Sequence, residues 1–466
     1  MKSVRPDGPG ALDLKVNKRP MPGLLNDITN DPANISLRLQ YADAVEQDGD
    51  HQYAGFIRLQ CQLADASDGS IEQRALHQQT EALLAEYGDL WVRQYSLPAY
   101  VVNAFWHLGL VEELVIDIEI FDGNLQLALD KAPVSTLSLI DNEELAGLKS
   151  FVADPALARV KHLDLTETTL AVYGATVLFS FGQFDQLESI VFSDDDSQPD
   201  VMREFIKGYF PSLTRVRCSG YISANLGNEG IQLLAESTLW SQLTELELFN
   251  VRLDSQAAQV FTLPDGLTEL TRLSLGGGGY SKNSLSENGA QELANAPNLQ
   301  NLRFLDLGFN DIGDRGFEYL AKSEYLANVE ELHLQANEIS HDSFVYISVS
   351  KFLHNVCVLD LSHNDLCDRA VESLVLAAPM QVTTLWLYHN DIKDRGVRMI
   401  ANAPMTQQLV ELNLAQTGMT DQGAQSLLDS EYLVQIQTLF LGLNDFSDEM
   451  KIQLANRFGE VIVDKL

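Results

Sequence analysis

The sequence predicts an α/β solenoid, a parallel-sheet horseshoe with helices on its convex side, carrying an all-helical capping domain at its N-terminal end. Two observations predict it: a leucine-spaced motif recurs at near-constant intervals through most of the chain, and the stretch ahead of it has helical periodicity without the motif. A hydrophobic fraction of 45% supports folding throughout.

The pattern apolar-x-x-Leu-x-Leu-x-x-Asn-x-apolar is clearest at residues 302–312 (LRFLDLGFNDI), 329–339 (VEELHLQANEI), 356–366 (VCVLDLSHNDL), 382–392 (VTTLWLYHNDI) and 436–446 (IQTLFLGLNDF). Residues 409–419 keep the leucines but place Thr417 in the asparagine slot. The first leucine of each Leu-x-Leu step falls at Leu305, Leu332, Leu359, Leu385, Leu412 and Leu439, at intervals of 27, 27, 26, 27 and 27 residues. Upstream, degenerate copies anchor at Leu273, Leu246, Val216, Ile190, Leu163 and Leu137.

Each unit has a physical logic. Leu-x-Leu is a short strand whose alternate side chains enter the core, and the same strand in the next unit is its parallel neighbour. The asparagine can bond backbone groups where the chain leaves the strand, so stacked copies form a ladder. Asp314, Asp368, Asp394 and Asp421 then recur as helix-capping carboxylates before apolar positions at helical spacing. His341 takes that slot once, leaving Ser340 or Asp342 to cap. Two units depart from the pattern and read as loops, one through Gly276, Gly277, Gly278 and Gly279, the other through Asp194, Asp195 and Asp196. No Lys-Ser/Thr follows the glycines, so they do not make a phosphate cradle.

Repeats of the form N-D-I-x-D-R-G-x-x-x-L-A, across about residues 130–455, resemble the ribonuclease-inhibitor class of leucine-rich repeats. That resemblance implies a fold and no activity.

Residues 1–20, rich in Pro, Gly, Lys and Arg, are expected to be disordered. A helical domain is expected over 21–110 and the repeat array, about twelve units with a C-terminal cap, over 111–466. Leu37, Tyr41, Ala44 and Val45 share one helix face; Tyr53, Phe56, Ile57, Gln60 and Leu63 share a second; Leu76, Leu83 and Leu84 mark a third. Asp31-Pro32, the Leu39 to Asp43 stretch LQYAD, Gly49-Asp50, FIRLQ at 56–60, LAEYGD at 84–89 with Trp91, and WHLGLVEE at 106–113 resemble the repeat-companion domain, a bacterial module found ahead of repeat arrays. The module generally has Trp where this chain has Ala44, so that packing position is filled differently here. The polar set Asp43, Glu46, Asp50 and Arg58 reads first as ion pairing and helix capping, and second as a place for chemistry. The expected role of the domain is to cover the first strand, within residues 111–120. At the far end, 450–458 reads as a helix and 461–463 as a truncated strand.

The chain carries 66 acidic and 31 basic residues, a net charge of -35. Such a surface repels nucleic-acid phosphates and anionic lipid, and steers basic partners inward. Cys61, Cys218, Cys357 and Cys367 form no C-x-x-C pair, the start lacks a signal-peptide stretch and no run is long enough to span a membrane, so a cytoplasmic location is expected. Nucleophilic triads, kinase and P-loop motifs and zinc spacings are absent, which implies no cofactor and no metal.

Function therefore falls to the residues flanking the core leucines, which face away from the helices. The candidate partner-binding set is Phe304, Asp306, Phe309, Glu331, His333, Asp360, His363, Trp386, Tyr388, His389, Glu411 and Phe440. Trp and Tyr at such positions dominate interface energies, although aromatics on neighbouring strands can also cover one another. His363 and His389, in equivalent slots one repeat apart, are expected about 5 Å from each other, one ligand short of a metal site. The N-terminal repeats offer Thr136, Ser138, His162, Asp164, Ser189 and Ser193, then Arg215, Arg217, Glu245, Glu247 and Phe249. The expected function is a non-catalytic protein-binding scaffold for a basic partner. An inhibitor of a basic enzyme, and an enzyme or effector with its chemistry in the helical domain, are the alternatives.

Overall fold

The computed structural model describes residues 22–66, 71–141, 145–194, 196–220, 224–264, 266–278, 282–350, 352–377 and 381–459. The segment 1–20, Asp195, Gly279 and the strand expected at 461–463 lie outside the described residues. The chain separates into two compact units, one reaching residue 196 with 207–213 added, the other holding 197–206 and 214 onward.

The first unit begins with four helices, α1 (Pro22–Asn30), α2 (Ile35–Gln47), α3 (His51–Asp65) and α4 (Ile71–Gln94). Asn34 and Asp50 start α2 and α3 by accepting from the Leu37 and Tyr53 amides at 3.2 and 3.0 Å. Their apolar faces meet in an aromatic core, where the ring of Trp91 lies 5.1 Å from both Tyr53 and Phe56. Trp106 joins them from the sheet, its ring 5.5 Å from Phe56.

Strands β1 (Val101–His107), β2 (Leu110–Asp117), β3 (Thr136–Ile140), β4 (His162–Glu167) and β5 (Ser189–Phe192) follow in sheet order, parallel except for β1. Helices α5 (Leu125–Leu129), α6 (Leu148–Val152) and α7 (Ala171–Phe181) connect the later strands. Sequence periodicity did not reveal β1, an antiparallel strand within the stretch read as helical. It hairpins onto β2 through Leu108 and Gly109, both at positive φ (45° and 84°). Glycine is required there, because a Cβ on Gly109 would lie 2.6 Å from the Ile57 Cα. The first parallel strand is thus covered by a paired strand as well as by helices.

The second unit contains β6 (Arg215–Ser219), β7 (Glu245–Phe249), β8 (Arg272–Ser274), β9 (Phe304–Asp306), β10 (Glu331–His333), β11 (Val358–Asp360), β12 (Thr384–Trp386), β13 (Glu411–Asn413) and β14 (Thr438–Phe440), all parallel and in sequence order. Helices α8 (Pro199–Phe205), α9 (Gly227–Ala235), α10 (Ser286–Ala294), α11 (Gly313–Lys322), α12 (Asp368–Leu376), α13 (Lys393–Ala401), α14 (Asp421–Asp429) and α15 (Asp448–Phe458) line its other side. In two repeats the helix is replaced by 3-10 turns, Ala257–Thr262 and Phe344–Val349. The first of these runs into Pro264 and the second is rich in β-branched residues, both poor α-helix contexts.

All twelve anchor residues sit on strands β3–β14 at no more than 1% exposure, which makes the chain an α/β leucine-rich-repeat solenoid. Its asparagines form the ladder. Asn364 Nδ2 donates to the carbonyls of Leu334 (3.0 Å), Leu361 (3.0 Å) and Ser362 (3.2 Å), while its Oδ1 accepts from the Asn337 and Ile339 amides at 3.0 Å each. One side chain therefore ties two adjacent repeats together through both its donor and its acceptor. Thr417 keeps only part of this role, its hydroxyl donating to the Leu414 carbonyl at 2.8 Å.

One sequence expectation is refined and one corrected. The longer unit after Leu275, read as a loop, also carries a ladder asparagine. Asn283 takes the ladder position after an insertion, donating to the Leu248, Leu275 and Gly276 carbonyls. Three of the four repeated aspartates clamp the next repeat rather than capping their own helices, while Asp368 pairs with Arg395 at 2.6 Å. Asp394 accepts from the Thr420 amide and hydroxyl and the Gly423 amide, capping α14 rather than α13, and Asp314 and Asp421 reach Ser340 and Ser447 in the same way. Gly423 leaves room for the clamp, since a Cβ there would lie 2.7 Å from Asp394 Oδ1.

Candidate functional site

In the second unit the strands bury their central leucine and leave its two neighbours on the open face, opposite the helices. Parallel register sorts those neighbours into two rows. The row before the leucines runs Arg272, Phe304, Glu331, Val358, Thr384, Glu411, Thr438; the row after them runs Ser274, Asp306, His333, Asp360, Trp386, Asn413, Phe440. Neither row carries Lys or Arg from β9 onward, whereas Asp306, Glu331, Asp360 and Glu411 bring four carboxylates.

His333 is the centre of this face. Its Nε2 lies 2.8 Å from Glu331 Oε1, and its Nδ1 lies 3.9 Å from Asp360 Oδ2. Burial opposes a charged ring here, but the Asp360 and Glu331 carboxylates and the nearby Asp306 charge overcome it and raise the imidazole to about 9. Glu331 in turn is lowered, first by its bond to His333. Raised above neutrality, the ring favours its charged form, with Nε2–H donating to Glu331. Asp360 itself is buried, and also accepts from the Ser362 amide at 2.8 Å.

Aromatic side chains surround that cluster. His333 stands 5.3 Å from the Phe304 ring and 5.9 Å from Trp386, and the Arg272 guanidinium lies 3.3 Å from the Phe304 centroid. Trp386 Nε1 donates to Glu411 Oε1 at 2.5 Å, which fixes the indole across β12 and β13. The aromatics thus do cover one another in part, as adjacent strands allow. Phe304, Trp386, Tyr388 and Phe440 nonetheless stay half-exposed.

Just past the strands, Phe309, His363, His389 and Leu443 occupy one repeated slot, at φ of 61°, 54°, 56° and 58°. This left-handed conformation is costly for residues other than Gly, Asn and Asp, and it leaves their side chains exposed. The His363 and His389 rings stack at 4.6 Å, with Tyr388 4.7 Å from His363 and edge-on to it. Burial first, and then His389, lower the His363 pKa. Among the described residues no group of three or more His, Cys, Asp or Glu is arranged to hold a metal ion.

Elsewhere the candidate residues separate. Arg217 and Arg272 pair with Glu247 at 3.2 and 2.9 Å, so the positive charge of these two arginines is partly neutralised. Ser193, read as facing outward, is buried and accepts from the Asp196 amide, because β5 ends at Phe192 and the chain has already turned. In the helical segment Arg58 pairs with Asp43 and Glu46 at 2.6 and 2.7 Å on the surface, and Asp50 caps α3. That arrangement fixes a helix hairpin.

Periodicity placed all twelve candidate residues on or beside β9–β14, but it did not reveal that His333 is charged or that Arg272 covers Phe304. An Arg one repeat before Phe304 in the same row was the available clue.

A family model described as "Leucine Rich repeat" matches residues 298–321. No curated protein sequence matches the chain. Among solved structures it is similar to an internalin from Listeria monocytogenes, at 16% identity and a TM-score of 0.43, over 72% of this chain and 87% of that one.

Proposed function

We propose that this chain is a non-catalytic protein-binding scaffold that receives a basic partner on the open face of β9–β14. The observation carrying this reading is the composition of that face: four carboxylates, no Lys or Arg in either row, and half-exposed aromatics centred on Trp386 and Tyr388. His333 offsets one carboxylate charge, and the remainder attracts cations. Large side chains held at positive φ on the same surface add to the case, since such strain concentrates where a surface is used.

Within this reading the array is of the ribonuclease-inhibitor-like type, supported by spacing near 27 residues and a helix in most repeats. The helices ahead of it form a repeat-companion-like cap, supported by their packing on β1 and β2. Four cysteines outside any disulfide support a cytoplasmic setting.

Affinity purification with the wild-type chain and with a Trp386→Ala/Tyr388→Ala variant tests the proposal. A partner should be recovered by the first and lost by the second, with the circular dichroism spectrum unchanged. Equal recovery by both would sink it.

A further inference from the structure

The open face of the first unit carries a groove of its own. Register sets Val115 on β2, Ser138 on β3 and Asp164 on β4 side by side, with Glu113 two residues before Val115. Two cavities, of about 590 and 650 Å³, adjoin there, and Phe105 and Glu113 line both. Asp65, Glu113, Asp164 and Glu167 also line this groove, whereas no Lys or Arg does. Among the described residues none of these four carboxylates pairs with Lys or Arg. A fifth, Glu112, is buried and taken by Arg38. Burial first, and the Asp164 charge besides, raise the Glu113 carboxyl, although Ser138 Oγ donates to it at 2.7 Å. A cation beside these carboxylates would favour their charged forms.

The chain itself supplies such cations. Residues 1–20 hold five of its 31 basic residues, Lys2, Arg5, Lys15, Lys18 and Arg19, against two of its 66 acidic ones. Leu12, Leu14 and Val16 alternate with Asp13 and Lys15, the pattern of an extended stretch with one apolar face. These residues lead into α1, and the turn after α1 walls the groove through Pro32 and Ala33. Helix α1 is about 14 Å long, and twenty extended residues span up to roughly 66 Å. Four strands are only about 14 Å across, so the stretch is long enough to cross the groove. Tethering sets its effective concentration on the order of millimolar, which favours it over a separate basic protein.

We propose that residues 1–20 dock in this groove, seating Lys15, Lys18 and Arg19 among Asp65, Glu113, Asp164 and Glu167, and the leucines against Phe105. A separate basic protein can then use this face only by displacing them. The contact lies within the first unit and is independent of the face on β9–β14.

Trypsin tests this on the full chain, because it cuts after Lys15 and Lys18 and cleavage follows the undocked population. Mass spectrometry should show both sites cut at least about five times more slowly in the wild-type chain than in Glu113→Gln/Asp164→Asn/Glu167→Gln. The protection should fade in about 0.5 M salt. Where the triple variant loses its fold, Asp164→Asn/Glu167→Gln takes its place. Zero-length carbodiimide coupling of a mixture of ¹⁴N and ¹⁵N chains then identifies the occupant. Single-isotope links from Lys15 or Lys18 to Asp65, Glu113, Asp164 or Glu167 are expected. Mixed-isotope links would assign the groove to a second copy, and links only to other carboxylates would place the stretch elsewhere. Equal cleavage of wild type and variant would show that it does not dock. Each of these three results overturns the proposal, and none bears on the binding face around Trp386.

Discussion

The two units build the same core from the same leucines, yet they satisfy the backbone at the strand ends by different chemistry. The second unit uses neutral asparagines, which donate to carbonyls and accept from amides at once, so each can hand the pattern on to the next repeat. The first uses buried carboxylates. Asp154 accepts from the Leu125 and Ala156 amides, and Asp196 from those of Leu170 and Ala171. A carboxylate only accepts, so it takes amides of the preceding repeat but offers nothing to that repeat's carbonyls and cannot propagate a ladder. The first unit also buries an ion pair, Arg38 with Glu112 at 2.5 Å, and Arg38 further donates to the Pro32 and His107 carbonyls. Neutral groups make a repeat extendable; charged ones make an end specific and sensitive to pH.

The largest effect that would test this contrast is Asn364→Ala. It removes five hydrogen bonds spread over two repeats and leaves buried backbone groups unsatisfied, which should cost roughly 4 kcal/mol or more in denaturant unfolding. A loss under about 1 kcal/mol would mean the ladder is decorative. Arg38→Met comes next, at about 3 kcal/mol, since it strands Glu112 in the interior. Adding Glu112→Leu should recover part of that loss, because the isolated charge goes too. If the double variant is no more stable than the single, the ion pair does not explain the cost.

Titration separates the units without mutation. Burial raises Glu112 from 4.5 to about 7 despite Arg38, so its folded form favours the proton. Its contribution is full below 4.5 and is lost as pH rises through 7. His333 is raised from 6.5 to about 9, so its contribution is full below 6.5, declines from there and is gone above 9. Between pH 5 and 6.5, where only the Glu112 contribution declines, hydrogen exchange in α2 and β2 should accelerate relative to β10–β12 after correction for the intrinsic rate. Glu112→Gln should remove most of that difference. The smallest effect is a gain. Thr417→Asn restores the missing rung and should stabilise by about 1 kcal/mol, read as a rise in Tm. A fall in Tm would show that the pocket around the wholly buried Thr417 has no room for the amide.

The same contrast explains what the sequence could reveal. Strand positions, core leucines and ladder asparagines were legible because a period repeats one local solution many times. Even Thr417 stood out as a gap. Features made once had no period to betray them. Arg38 meets the His107 carbonyl across 69 residues, β1 pairs where helices were expected, and Asn283 arrives late after an insertion. The aspartate clamps were visible as residues but misassigned, since local capping and reach into the next repeat look identical in sequence. At the candidate face, the positions were legible and the charge on His333 was not, because that charge depends on carboxylates from neighbouring repeats.

The central claim is that β9–β14 present a protein-binding face. It is tested most directly by measuring the dissociation constant of the recovered partner for the wild-type chain and for Trp386→Ala/Tyr388→Ala. Loss of two buried aromatic anchors should cost at least about 2 kcal/mol, roughly a thirty-fold rise in Kd, with wild-type affinity itself weakening as salt is added. A Kd unchanged by the substitutions and indifferent to salt would contradict the account.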